Sequence, residues 1–291
     1  MIRSLYSAVS GLRGHQTMLD VIGNNISNVN TASFKSSRVI FSDLYYQTLA
    51  GASAATDATG GNNPTQIGYG ALVSSIDVVN SRSSFQQTSR SLDLYISGEG
   101  YFAVQNPTGG TSYTRLGALS FDPDGNLLDS SGSYMLGQVL ATPVGVNDPV
   151  PAMPATPVKI NIANLNEYTS ISIDAKGVIT GVYSPADLTD PAAGETRKLA
   201  QLAIAVFQNP DGLLESGTSY YDETVNSGTA TFVAAGSPTA GALVSGGLEM
   251  SNVDLSKEFT DMIIAQRGFQ ANARVITTSD QVLEELVNLK R

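Results

Sequence analysis

The 291-residue chain contains no cysteine, no tryptophan and a single histidine. Without cysteine there is no disulfide, no thiolate metal site and no redox chemistry on sulfur. One histidine excludes a multi-histidine metal site by count. His15 falls near Leu12 and Leu19 on a helical pattern, where it reads as a structural residue. The missing tryptophan removes the side chain most used as a platform for sugars, although 12 tyrosines could substitute.

Charge is scarce too: 14% of residues are charged against about 25% in an ordinary soluble domain, while 42% are hydrophobic. The balance of 16 basic against 26 acidic residues gives −10, with no basic block, so nucleic acid is not an expected partner. No transmembrane run is present and no membrane insertion is expected. The first twenty residues carry Arg3, Arg13, His15 and Asp20 without a continuous apolar stretch, so they do not read as a cleaved secretory signal. At about 150 residues per domain, the length suggests roughly two domains.

The ends of the chain differ from its middle. Ile2, Leu5, Val9 and Leu12 are spaced 3, 4, 3, and Leu19, Ile22, Ile26 and Val29 repeat the spacing. The pattern predicts an amphipathic helix over 2–29, weakened by Gly11, Gly14 and Gly23 and in need of a partner. Leu255, Phe259, Met262, Gln266, Phe269, Ala273, Ile276, Asp280, Leu283 and Val287 continue a 4, 3 alternation at the other end. With Asn252 or Asp254 as N-cap, a helix over 254–291 would be about 55 Å long, more than a compact domain covers. Ile263, Ile264, Val275, Leu286 and Leu289 lie off that stripe, so the apolar surface is wider than one two-helix seam buries. Further copies of the chain are the natural supply of covering surface.

Between the ends the pattern is β. Runs at 72–79, 92–96, 101–105, 134–140, 171–174, 178–183 and 199–207 alternate with turn clusters such as Asp124-Gly125 and Asn209-Pro210-Asp211-Gly212. The fold class is therefore α+β: N- and C-terminal helices pairing as a coiled coil, with a central, mainly antiparallel β domain. The divisions read from sequence are 1–30 with 251–291 as the helical part, 31–70 as an extended connector, 71–140 with 170–250 as the β domain, and 141–169 as a Pro-rich interruption. The chemistry of a catalytic site is missing. Asp122-Pro123-Asp124-Gly125-Asn126 starts like a calcium loop, but its glycine comes two positions early and no Glu stands at the twelfth, so it reads as a turn. Gly98-Glu99-Gly100 lacks the third glycine and the following helix of a dinucleotide fingerprint and reads as a bulge or tight turn. No enzyme activity, cofactor or metal is expected.

The run from Leu5 to Phe34, LYSAVSGLRGHQTMLDVIGNNISNVNTASF, with Lys35 after it, resembles the N-terminal signature of the bacterial flagellar rod and hook proteins. The run from Gly247 to Arg291 resembles the matching C-terminal signature, and 92–137 and 171–228 resemble the family's β domain. The resemblance implies a subunit exported unfolded through the flagellar type III apparatus without signal cleavage and polymerised into a helical tube. It implies that terminal helices form the inner layer around the channel and β domains the outer layer. Because 171–228 is closer to hook proteins, the reading is a structural subunit of the bendable hook, with a distal rod subunit as the alternative. The additional outer domain of many hook proteins is expected to be absent or vestigial at 141–170. The partners implied are further copies of the chain, the distal rod protein, the hook cap protein, the hook-filament junction proteins and the export apparatus. The expected polymer interface is Ile2, Leu5, Val9, Leu12, Leu19, Ile22, Ile26, Leu255, Phe259, Met262, Phe269, Ile276, Leu283 and Val287.

Overall fold

The computed structural model describes residues 2–55, 60–106, 109–145, 149–184 and 194–289, with the side chains of Ile2 and 141–145 outside the description. The fold is α+β, two long terminal helices and a large antiparallel β domain. The chain divides into two compact units, one of residues 1–29, 35–79 and 253–291, the other of 30–34 and 80–252.

In the first unit helix α1 spans Ile2–Ser27 and helix α2 spans Leu255–Asn288, each within a few residues of the periodicity. The Asp254 carboxylate caps α2 by accepting from the backbone N–H of Ser256 at 2.9 Å and of Lys257 at 3.4 Å. The stretch read as an extended connector carries strands: β1 (Ser37–Asp43), β2 (Tyr46–Ala50) and β3 (Thr65–Gly68), followed by β4 (Ala71–Val78). β1 pairs with β4 and β2 with β3, both antiparallel. Together they make one long folded-back ribbon grouped with the helices, and this also takes the run at 72–79 out of the β domain. Composition hid the ribbon: residues 50–70 are small and polar, and backbone pairing needs no apolar side chains.

In the second unit the central path of the main sheet runs Tyr134–Gly145, Thr196–Val206, Tyr101–Gln105, Thr111–Thr114, Tyr220–Asp222. Thr196–Val206 lies in the middle and is buried along most of its length, which is why LAQLAIAV reads as a continuous apolar run. Phe102, Leu119, Leu127, Met135, Leu202 and Ile204 are at the centre of the core. Ile160 and Ile162 are packed into the same core, so the interruption at 141–169 contributes to the domain it interrupts.

The turns behave as their residues dictate. Gly98-Glu99-Gly100 joins Asp93–Ser97 to Tyr101–Gln105, with φ of 159° and 123° at the two glycines. A Cβ on Gly98 would meet the Cα of Gly241 at 2.3 Å, so only glycine fits. Arg115 fastens this turn: its Nε donates to the Gly100 carbonyl at 3.1 Å and its Nη2 to the Gly98 carbonyl at 2.9 Å. Arg115 also forms an ion pair with Glu249 at 3.4 Å, both side chains buried. In the DPDGN turn the Asp122 carboxylate accepts from the backbone and side-chain N–H groups of Asn126, whose side chain is the main influence holding the Asp122 pKa below its usual range. Those carboxylates serve the turn.

Candidate functional site

The surface that sets this molecule apart is on the first unit. α1 and α2 lie antiparallel in a fixed register. Asn25 meets Glu258, His15 meets Gly268 and Gly11 meets Asn272, and each pair of residue numbers sums to 283. The glycines make this approach possible. A Cβ on Gly268 would lie 2.5 Å from the His15 Nε2, and one on Gly11 would lie 2.5 Å from the Asn272 Nδ2. Gly14 likewise admits the Phe41 ring of β1, 2.8 Å from where its Cβ would be. Residues that weaken α1 as an isolated helix are what let it seat against α2 and the ribbon.

Asn25 is the polar fixing point of the unit, and sequence periodicity did not single it out. Buried at 1% exposure, its side-chain N–H donates to the Ser37 carbonyl at 2.8 Å and to the Glu258 carboxylate at 3.2 Å. Its amide oxygen accepts from the Ser37 N–H at 3.0 Å. One side chain thus ties the end of α1, the start of β1 and the first turn of α2. The available signal was a polar residue three positions after Ile22, on the stripe itself. Burial pushes the Glu258 pKa up, and the Asn25 hydrogen bond acts against that.

The α2 surface divides in two. Ala265 is buried in the seam, and Met262, Gly268, Asn272, Ile276 and Leu283 are half-buried around the same line. Its other apolar residues are uncovered: Phe259 is 50% exposed, Ile263 59%, Ile264 56%, Val287 68% and Leu289 82%. Val9, Leu255 and Phe269 are also exposed, whereas Leu5, Leu12, Leu19 and Ile26 are half-buried and Ile22 is buried. The Ile2 side chain lies outside the described residues. Of the fourteen residues selected from sequence, the thirteen with described side chains therefore fall into an exposed set and a half-buried or buried set. His15 belongs to the second, its ring centroid 6.2 Å from that of Phe41.

A groove opens on another face of α1. It is a cavity of about 500 Å³ bounded by Tyr6, Val9, Arg13 and Thr17 on the helix and by Tyr69 and Leu72 on the ribbon. Among the described residues no cluster of three or more His, Asp or Glu is placed to hold a metal, and no helix is long and apolar enough to cross a membrane. Contiguous exposed apolar surface of this extent is uncommon on a monomeric protein.

Comparison with known proteins agrees with that geometry. Residues 5–35 match the family described as flagella basal body rod protein, 95–181 match the flagellar hook protein FlgE/F/G D1 domain, and 244–289 match the flagellar basal body rod FlgEFG protein C-terminal region. The chain is 47% identical over 295 residues to the flagellar basal-body rod protein FlgG of Bacillus subtilis (strain 168), covering all of both chains. It is 33% identical over 294 residues to the FlgG of Borreliella burgdorferi, again over all of both. Against the flagellar hook protein FlgE of Borreliella burgdorferi the identity is 30% over 450 positions, covering all of both. With paired terminal helices, an antiparallel β domain and relatives matched end to end, this chain belongs to the flagellar rod and hook axial protein family, structural proteins of the bacterial flagellum.

Proposed function

We propose that this chain is a rod subunit of the flagellar basal body, a distal rod segment that polymerises into a straight, rigid, hollow tube. This is the alternative of the sequence reading and replaces the bendable hook as the favoured one. The supporting observation is length matched to identity. The FlgG relative aligns at 47% over 295 positions, almost without gaps, whereas the hook relative requires 450 positions against the 291 of this chain. No additional outer domain fits between Ala141 and Ser170, where the chain instead returns Ile160 and Ile162 to its own core.

The mechanism is association through uncovered helix. Phe259, Ile263, Ile264, Val275, Leu286 and Val287 would be covered by neighbouring subunits, giving axial continuity around a central channel. Family resemblance supports helical polymerisation, export by the flagellar type III apparatus without a cleaved signal, and contacts with hook and cap components at the ends of the segment. Electron microscopy of basal bodies purified after deletion of the gene tests the assignment. Loss of the distal rod is expected, and complete rods that lack only the hook would return the assignment to the hook.

A further inference from the structure

The register of the helices leaves part of α2 beyond its partner. Because paired residue numbers sum to 283, Ile2 at the start of α1 stands level with Gln281. Residues 282–289 therefore continue past the described part of α1 for about 12 Å. Val282, Leu286 and Leu289, at i, i+4 and i+7, form one exposed apolar edge of that segment. This is the spacing with which an amphipathic helix enters an apolar groove.

The same unit carries such a groove. Its α1 wall runs from Tyr6 to Thr17, about 16 Å, long enough to accept the projecting segment. Val9, Leu44, Leu72 and Val73 give it an apolar floor, and Arg13 is its one charged lining residue. Arg3 sits over the Tyr69 ring at the groove, 5.8 Å from its centroid. Residues 282–289 contain Glu284 and Glu285 and no basic residue, the complement of those two arginines; Lys290 and Arg291 follow outside the described residues. The groove and the projecting turns cannot meet within one chain. Tyr6 stands level with residue 277, so Leu286 lies about 13 Å further along the axis.

Resting on the self-assembly reading above, we propose that the groove between α1 and the ribbon receives residues 282–289 of a second copy of this chain. Leu286 and Leu289 fill the apolar floor and the glutamates face Arg3 and Arg13. The contact is head-to-tail: each copy offers one projecting segment and one groove, so it propagates into an open helical series instead of closing as a dimer.

The native absence of cysteine makes the test direct. Full-length chain carrying Tyr6→Cys and Leu286→Cys is assembled, oxidised and separated under non-reducing denaturing conditions. The expected result is a ladder of dimers, trimers and higher species, with each single variant staying monomeric because its one thiol faces a residue without sulfur; the two positions of one chain are too far apart to bridge each other, since Cα atoms more than about 7 Å apart do not. A sedimentable polymer without the ladder overturns the groove and leaves self-assembly standing. A doubly bridged closed dimer overturns the head-to-tail direction. Failure of the unsubstituted chain to polymerise, with its β domain folded, overturns the assembly reading itself. Hydrogen exchange on the unsubstituted polymer needs no variant. Joint protection of 282–289 and of the groove strands is expected on assembly, and unchanged exchange at 282–289 refutes the contact. Leu286→Asp should raise the concentration needed for assembly roughly tenfold or more.

Discussion

Replacing Ile264 with aspartate separates assembly from folding. The side chain is 56% exposed in the single chain, on the part of α2 that α1 leaves uncovered. Full burial of an isoleucine contributes about 1.5–3 kcal/mol, so covering the exposed share on assembly contributes roughly 1–1.5 kcal/mol per contact. Ile264→Ala, which removes that contribution, should raise the critical concentration for polymerisation about five- to tenfold. Ile264→Asp also places a carboxylate in the contact without a partner, which costs several kcal/mol more, so assembly should fall about a thousandfold or further. The monomer loses little, because a substitution at an exposed position away from caps and hydrogen bonds changes stability by about 0.5 kcal/mol or less. Sedimentation of polymer across a concentration series, with circular dichroism of the soluble fraction, reads both quantities. Polymerisation of the aspartate variant at a concentration within twofold of the unsubstituted chain would refute the assignment of this face to subunit contact.

Four other outcomes are expected. Asn25→Ala removes three hydrogen bonds joining α1, β1 and α2, so it should cost the helical unit about 1–3 kcal/mol by denaturant titration; an unchanged midpoint contradicts its role as the fixing point. Arg115→Met breaks the buried ion pair with Glu249 and removes the guanidinium donors to the Gly98 and Gly100 carbonyls, so it should cost the β domain about 3–5 kcal/mol on urea unfolding, a large part of a domain's usual stability. Gly268→Ala gains about 1 kcal/mol of helix propensity but drives a methyl into His15, so protection of α1 against hydrogen exchange should fall although isolated α2 becomes more helical. The last concerns Tyr101. Burial pushes its phenol pKa up from 10.0 to about 12, so the fold favours the neutral form. That stability is fully present below pH 10 and lost as pH rises to 12, so the urea midpoint of the β domain should fall across that window. A midpoint unchanged between pH 9 and pH 12 would count against it.

Local pattern carried the helices and most strands. The 3, 4 spacing of Ile2 to Ile26 and of Leu255 to Val287 marks helices because those intervals return to one face every turn, and Asp254 announces the start of α2 because its side chain replaces missing backbone acceptors. The DPDGN and NPDG turns were legible for the same reason, since their chemistry lies within five residues. The excess of apolar residues on α2 over one seam was legible as well, and the proposal of subunit contacts rests on it.

Which residues meet was decided only in three dimensions. The helices slide into the one register where Gly268 clears His15 and Gly11 clears Asn272, a condition that involves residues more than 250 positions apart and has no local signature. That register determines which apolar residues turn inward and leaves residues 282–289 projecting. The far end of the ribbon went unread because residues 50–70 are mostly small and polar and β2 and β3 are held there by backbone pairing, whereas the run at 72–79 was legible as a strand but not as part of a ribbon. Asn25 is understood only once Ser37 and Glu258 stand beside it. Periodicity told how much surface had to be covered; the long-range packing of glycine, histidine and asparagine determined which part of it the chain covers by itself.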